Sequence, residues 1–370
     1  MEIAILTSSR ADFGFYKPLI YLLQKQSRIK TNLVVFGTHL SKKHGFTIND
    51  IKNSGFEVYA EIDLVPDGDG PKDIADTIGL AHLKFSDFWS QNKFDLIICI
   101  GDRFEMFAAV SASVPFGISV AHISGGEETL GAIDNVYRHA LSLMSKFHFT
   151  NTQKNAERVK QIIASSKNVY NTGSLAIDNI NQTQLLDAKE FKELFGFDIT
   201  KPFVLFTFHP ETVGFEKNID YITIIKEFLL ELNKAILITM PNADTMGNFI
   251  RNELIDASNK NKNIHIVESL GSKGYYTALK NCDYVLGNSS SGILEAASFA
   301  KYAINLGHRQ LGREFGSNVL HSNINKTEIK KTIDTIQNLP QLGTENIYGN
   351  GNAANNMLCV LIEIENSFKL

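Results

Sequence analysis

Three cysteines, Cys99, Cys282 and Cys359, are scattered through 370 residues. They are too few and too far apart for a disulfide framework or a metal knuckle, and their apolar neighbours read as the surroundings of reduced core thiols. No run approaches the roughly 18 apolar residues of a membrane span. Nor is there an excess of positive charge: 36 basic against 40 acidic residues leave a net charge of −4, which gives no reason to expect nucleic acid or an anionic membrane as partner. The chain opens on a strand-like run, Ile3 to Leu6, without the basic and apolar regions of a leader, and a cytoplasmic location is expected. Low-complexity tracts and short-period repeats are absent. No Asp-x-Asp stands at a position suited to a divalent ion, so no metal is expected, and glycine-rich loops alone do not argue for a nicotinamide. No cofactor is expected.

What is present is ordinary for a globular enzyme: 44% hydrophobic and 21% charged residues. The 25 phenylalanines read as core packing. The length suggests two domains. Strand-like and helix-like segments alternate. Glu2–Leu6 leads to the loop Thr7–Gly14 and a helix from Phe15 to Lys25, and the strands Asn32–Phe36 and Phe56–Ile62 follow. Beyond the turn-rich loop 65–71 comes a helix from Ile74 to about Gln91. The strand Asp95–Ile100 ends in Gly101-Asp102-Arg103, and Ile118–Ile123 ends in Ser124-Gly125-Gly126-Glu127. Phe147–Thr150 is expected to be the last strand of this half. A second series holds strands at Phe203–Phe208, Ala235–Met240 and Asn263–Val267. This alternation predicts an α/β fold with parallel sheets covered on both faces. Two Rossmann-like domains facing a cleft, a glycosyltransferase-B-like architecture, are expected, divided as 1–173 and 174–370, with a terminal helix over 353–367 that can pack back on the first. Ligands then belong on the loops after strand C-termini, where Arg10, Asp102, Glu127, Asp134, His209 and Asn242 all stand.

The most informative stretch runs from Asn281 to Arg313. A buried strand, Tyr284 to Leu286, meets Gly287-Asn288-Ser289-Ser290-Ser291-Gly292, and a helix carrying Glu295 in its first turns is expected next. Small residues at such a turn leave backbone N–H groups uncovered for an anion. Ser289, Ser290 and Ser291 add hydroxyls, Arg309 and Arg313 can neutralise phosphate, and Glu295 can accept from two ribose hydroxyls. The element reads as a nucleoside-diphosphate site, although a serine-rich cap on an ordinary helix is the plainer reading of the serines alone. The carboxylates have plainer readings too. Asp102 can cap the helix from Phe104, Glu127 can be a solvated loop acid, and Asp134 a cap ion-paired to Arg138. His139 reads as a packing histidine. His209, at a strand end before Pro210, is placed to donate to a phosphate, and Arg10 to clamp one.

The ordered set Thr7-Ser8-Ser9-Arg10-Ala11-Asp12-Phe13-Gly14, Gly101-Asp102-Arg103, His122-Ile123-Ser124-Gly125-Gly126-Glu127, Asp134 with Arg138-His139, Phe208-His209-Pro210-Glu211-Thr212 and Gly287–Gly292 resembles the hydrolysing UDP-N-acetylglucosamine 2-epimerases that begin sialic acid synthesis. The resemblance spans nearly the whole chain. Relatives acting on UDP-2,4-diacetamido-2,4,6-trideoxyglucose, for legionaminic acid, carry similar motifs. It implies UDP held by Ser289, Ser290, Glu295, Arg309 and His209 with Arg10, a homodimer, and Asp102, Glu127 and Asp134 in the region of the catalytic acids and bases. His209 joins these as a catalytic candidate; Asn242, Ser291, Gly292, Arg313 and Arg138 complete the substrate-binding set. One departure stands out: many members have glutamate where this chain has Ser124. The implied reaction is loss of UDP to a 2-acetamidoglucal, then addition of water to give the manno-configured free sugar. Rival readings are a UDP-sugar glycosyltransferase, a non-hydrolysing 2-epimerase and a silent nucleotide-sugar sensor.

Overall fold

The structure, a computed structural model, describes residues 1–42, 45–65, 68, 70–241 and 246–367. It forms two α/β units: Met1–Glu127, Asp134–Asn181 and Tyr348–Leu370 make the first, Glu128–Ile133 and Gln182–Ile347 the second. The short segment Glu128–Ile133 therefore leaves the first unit to join the second, where the Leu130 amide donates to Leu311 O at 2.8 Å.

The first unit is built on a seven-stranded parallel sheet: β1 (Glu2–Thr7), β2 (Lys30–Phe36), β3 (Val58–Ile62), β4 (Leu96–Ile100), β5 (Ser119–Ile123), β6 (Phe147–Thr150) and β7 (Val169–Asn171), in the order β3-β2-β1-β4-β5-β6-β7. Every residue of β4 is buried, because helices cover both faces and leave no solvent side for alternation. On one face Phe13, Tyr16 and Leu19 of the helix Arg10–Leu23 and Met357 and Leu361 of the helix Ala353–Ser367 pack with Ile3, Ile5 and Ile98. On the other, Phe85, Trp89, Met106 and Leu141 cover Ala4, Val34 and Ile97. The Asp178 carboxylate accepts from the amides of Ala353 (3.0 Å) and Ala354 (2.8 Å), capping the terminal helix within this unit. Burial raises the Asp178 carboxyl above its usual range.

The second unit has six parallel strands: β8 (Phe203–Thr207), β9 (Ala235–Thr239), β10 (Ile264–Val267), β11 (Tyr284–Gly287), β12 (Ala303–Leu306) and β13 (Val319–Ser322), in the order β10-β9-β8-β11-β12-β13. In each sheet the winding reverses once, between β1 and β4 in the first and between β8 and β11 in the second. Crevices at the carboxyl ends of such switch strands are where open α/β sheets take ligands. The loops at those four strand ends carry Arg10, Asp102, His209 and Ser289–Ser291.

Several expectations are corrected. The first sheet does not end at Phe147–Thr150, since β7 pairs beyond it, and β13 extends the second. The first helix starts at Arg10, not Phe15. The Asp12 carboxylate folds back to accept from the amides of Ser8 and Ser9, each at 2.8 Å, and fixes the start there. Cys99 and Cys282 are buried, whereas Cys359 is exposed. Part of the loop 65–71, at residues 66, 67 and 69, lies outside the described residues. Among the described residues no helix is long and apolar enough to cross a membrane.

Candidate functional site

In the first unit Asp102 follows β4 but caps nothing: the residue before the helix Phe104–Ser111 is Arg103. Asp102 instead forms an ion pair with Arg138. Arg138 is 1% exposed, and its Nη1 also donates to the Glu127 carbonyl at 2.9 Å and to Asn135 Oδ1 at 3.3 Å. A guanidinium buried this deeply needs a carboxylate and carbonyls around it. It therefore holds Asp102, Glu127 and the start of the helix Asp134–Met144 in one fixed arrangement. Arg103 is committed elsewhere, forked onto the fully buried Glu105 at 3.1 and 3.2 Å.

Glu127 is buried, not a solvated loop acid. Asn151, at the end of β6, donates from Nδ2 to Glu127 Oε1 at 2.6 Å and to Ser124 Oγ at 3.1 Å. Ser124 sits at φ +66°, a left-handed conformation that non-glycine residues seldom adopt and that clusters at functional turns. A Cβ at Gly126 would lie 2.2 Å from the Asn155 carbonyl, so the turn admits only glycine there. Behind it His122 bridges Gly101 O (2.8 Å) and Ser142 Oγ (3.1 Å). Burial pushes the imidazole down to about 4, so it is neutral at ordinary pH, donating from Nε2 to the carbonyl that precedes Asp102. Arg10, exposed, begins the first helix, on the turn that Asp12 ties together. His139 is partnered by Asn135 at 3.3 Å.

In the second unit the organiser is Asn288, which is fully buried. Its Oδ1 accepts from the His209 amide (2.7 Å), its Nδ2 donates to the His209 carbonyl (2.8 Å), and its own carbonyl accepts from Gln310 Nε2 (2.9 Å). One residue thus ties together three loops, its carboxamide joining those after β8 and β11 and its backbone carbonyl the one after β12. Glu211 adds a second tie, accepting from the His308 amide at 2.6 Å. Close approach of β8 and β11 demands Gly287: at φ +137° a Cβ would fall 1.9 Å from Thr207 O. His209 is buried beside these ties, Arg309 half-buried and Arg313 buried.

The serine turn differs from expectation. It opens a single helical turn, Ser291–Leu294, and Glu295 ends that turn with φ −110° before a 3₁₀ turn, Ala296–Phe299. So short a helix has little macrodipole, and the attraction for an anion falls to uncovered amides. Among the described residues no carbonyl accepts from the N–H of Ser289 or Ser290. Glu295 is buried and accepts from Ser291 Oγ and from Tyr276 Oη (3.2 Å). Burial raises its carboxyl to about 7 against those hydrogen bonds. Asn242 lies outside the described residues. The sequence reading missed Asn151, Asn288, Gln310 and Tyr276. Asn288 had a signal, since it stands inside the quoted Gly287–Gly292 motif.

The family described as UDP-N-acetylglucosamine 2-epimerase matches over residues 22–362. A Legionella pneumophila protein named UDP-N,N′-diacetylbacillosamine 2-epimerase (hydrolyzing) is 31% identical over 95% of this chain and 92% of its own length. A Campylobacter jejuni protein named GDP/UDP-N,N′-diacetylbacillosamine 2-epimerase (hydrolyzing) is 32% identical over 88% of this chain and 85% of its own. The solved UDP-GlcNAc 2-epimerase of Neisseria meningitidis, bound to UDP-GlcNAc, superposes with a TM-score of 0.83 at 19% identity, covering 98% of this chain and 100% of that one. That last likeness shows the glycosyltransferase-B-like fold.

Proposed function

The chain belongs to the UDP-N-acetylglucosamine 2-epimerase family, and from that premise we propose that it takes a UDP-linked 2-acetamido sugar, inverts carbon 2 and releases the free sugar and UDP. The proposed sugar is 2,4-diacetamido-2,4,6-trideoxyglucose, N,N′-diacetylbacillosamine. The observation that carries it is the naming of the Legionella and Campylobacter relatives for this hydrolysing reaction at 31% and 32% identity. UDP-N-acetylglucosamine is the second reading, favoured by the description of the family itself.

Carbon 2 of a UDP-sugar bears a hydrogen that no carbonyl acidifies. Departure of UDP makes carbon 1 oxocarbenium-like, and that hydrogen can then be taken by a carboxylate. In this proposal the Ser289–Ser291 turn, Gly292, Arg309, Arg313 and Arg10 hold the diphosphate, Glu295 accepts from the ribose hydroxyls, and His209 donates toward the departing oxygen. Donors preset toward developing charge are worth roughly 3–4 kcal/mol each. Asp102, Glu127 and Asp134 remove the proton at carbon 2 and manage its return to the other face, while water adds at carbon 1. A positioned base contributes about 10²–10⁴-fold. Arg138 positions two of these carboxylate residues. Kinship also motivates a cytoplasmic homodimer.

The test is turnover of UDP-N,N′-diacetylbacillosamine and UDP-N-acetylglucosamine side by side, without any acceptor. The proposal expects UDP and a free 2-epimerised sugar, with higher kcat/KM for the diacetamido substrate. Preference for the other substrate would select the second reading; inertness toward both without an acceptor would point to a transferase.

A further inference from the structure

Glu127 ends the first stretch of the first unit; from Glu128 the backbone belongs to the second. A side chain at such an exit takes its direction from the two peptide planes that flank its Cα, because those planes set its φ and ψ. The plane after Glu127 is gripped at the Glu127 carbonyl by Arg138 Nη1, 2.9 Å away. The plane before it carries the Gly126 carbonyl, and Arg158 Nη1 donates to that oxygen at 2.7 Å. Two guanidinium groups thus hold two successive carbonyls, one on each side of the Glu127 Cα.

The plane before Glu127 is the one most in need of a grip. Gly126 sits at φ +78° with no side chain to restrain it, and glycine turns through this region at little cost. Arg158 stands on the helix Gln153–Ile162, whose start is fixed by Thr152 Oγ1 accepting from the Asn155 amide at 3.2 Å. Asn155 and Arg158 are three residues apart and share one face of that helix. This face meets the turn: the Asn155 carbonyl lies 2.2 Å from where a Gly126 Cβ would be, and Arg158 takes the Gly126 carbonyl. Asn151, just ahead of the same helix, holds the Glu127 carboxylate itself at 2.6 Å. Backbone and side chain of one acid are therefore seated on a single capped element. Arg158 is half-buried, and hydrogen bonds from a cation are among the stronger kinds a carbonyl accepts. We infer that Arg158 is a positioning residue for the epimerisation, acting only through the Gly126–Glu127 peptide, which it locks so that the Glu127 carboxylate keeps one place during proton transfer. This rests on the role proposed above for Glu127. Without the grip the peptide can turn about Gly126, and a displacement of about 1 Å at a reacting group costs on the order of 10²-fold.

Steady-state kinetics of Arg158→Ala and Arg158→Met, on whichever UDP-sugar the wild type turns over, tests the assignment. Both variants remove every donor, while methionine keeps the apolar stem and stands in if the alanine variant fails to fold. The expected result is a kcat lower by about 10–10²-fold, with KM and the calorimetric Kd for UDP within about twofold of wild type. Millimolar methylguanidinium should restore part of the lost kcat in Arg158→Ala and nothing in Arg158→Met, whose side chain fills the space. An arginine that served folding alone would lower the thermal transition and leave the kcat of the folded fraction unchanged. Unchanged kcat in the folded variants, a loss carried by KM, or a folded alanine variant that methylguanidinium leaves unmoved would overturn the role of Arg158 and leave the proposed function standing. A wild type inert toward both UDP-sugars would overturn the proposed function, and the role of Arg158 with it.

Discussion

Arg138 and Asp102 form an ion pair in which the guanidinium is 1% and the carboxylate side chain 27% exposed. The acid thus faces outward from a buried cation that also holds the Glu127 carbonyl. Such a pairing fixes a carboxylate without enclosing it, the condition for a base that must reach a substrate. Asp102→Asn keeps a carbonyl oxygen toward Arg138, so the fold should survive. Turnover should fall about 10²–10⁴-fold with UDP affinity nearly unchanged. Steady-state kinetics beside calorimetric UDP binding checks this, and a variant with normal turnover would remove Asp102 from the chemistry.

Asn151 restrains Glu127 through a 2.6 Å hydrogen bond, and its loss frees the carboxylate from its buried geometry. Asn151→Ala should lower kcat by tenfold or more, the order of one hydrogen bond to a charged group at about 1.5–3 kcal/mol. KM should move little. A rise in KM at unchanged kcat would instead place Asn151 in ground-state binding.

Glu295 gives a pH dependence of definite sign. Its carboxyl is raised by burial from an ordinary 4.5 to about 7, so the folded protein holds a proton that the unfolded chain releases. Its contribution to stability is complete below pH 4.5 and is lost as pH rises through 7. If the ribose hydroxyls take the ionised form, binding of the UDP-sugar expels that proton. Affinity should then rise about tenfold between pH 6 and 8, and Glu295→Gln should abolish the trend. Calorimetry in buffers of differing ionisation heat would show proton release; proton uptake would contradict the assignment.

Asn288 joins three loops, and Asn288→Ala leaves the buried amide and carbonyl of His209 without their partners. Each such buried group costs about 1–3 kcal/mol, so thermal denaturation should reveal a loss of several kcal/mol. UDP binding should weaken in parallel. A stable variant that binds UDP normally would show that the loops after β8 and β11 hold their positions without this carboxamide, the bond from Gln310 to the backbone carbonyl being kept in the variant.

Much of this was readable in the chain. The fully buried runs of β4 and β8 announced parallel strands because nothing in them alternates. β7 and β13, of three and four residues at sheet edges, carry too little pattern to separate from loop. The serine turn was legible from composition; its one-turn helix was not, because Glu295 leaves helical geometry through a backbone angle that no side chain advertises. Charged candidates were found by their chemistry. Asn151 and Asn288 escaped because a neutral amide declares its role only through partners, and these lie 24 and 79 residues away in sequence. The segment Glu128–Ile133, between two stretches of the first unit, shows the same limit, since its place in the second unit rests on pairing with residues near position 311.

The most direct measurement runs the reaction in deuterated water with UDP-N,N′-diacetylbacillosamine and follows carbon 2 by NMR. The account predicts a free sugar of inverted configuration, deuterated at carbon 2, formed in step with UDP. Release of a sugar that kept its original hydrogen, or of an epimer still joined to UDP, would contradict it.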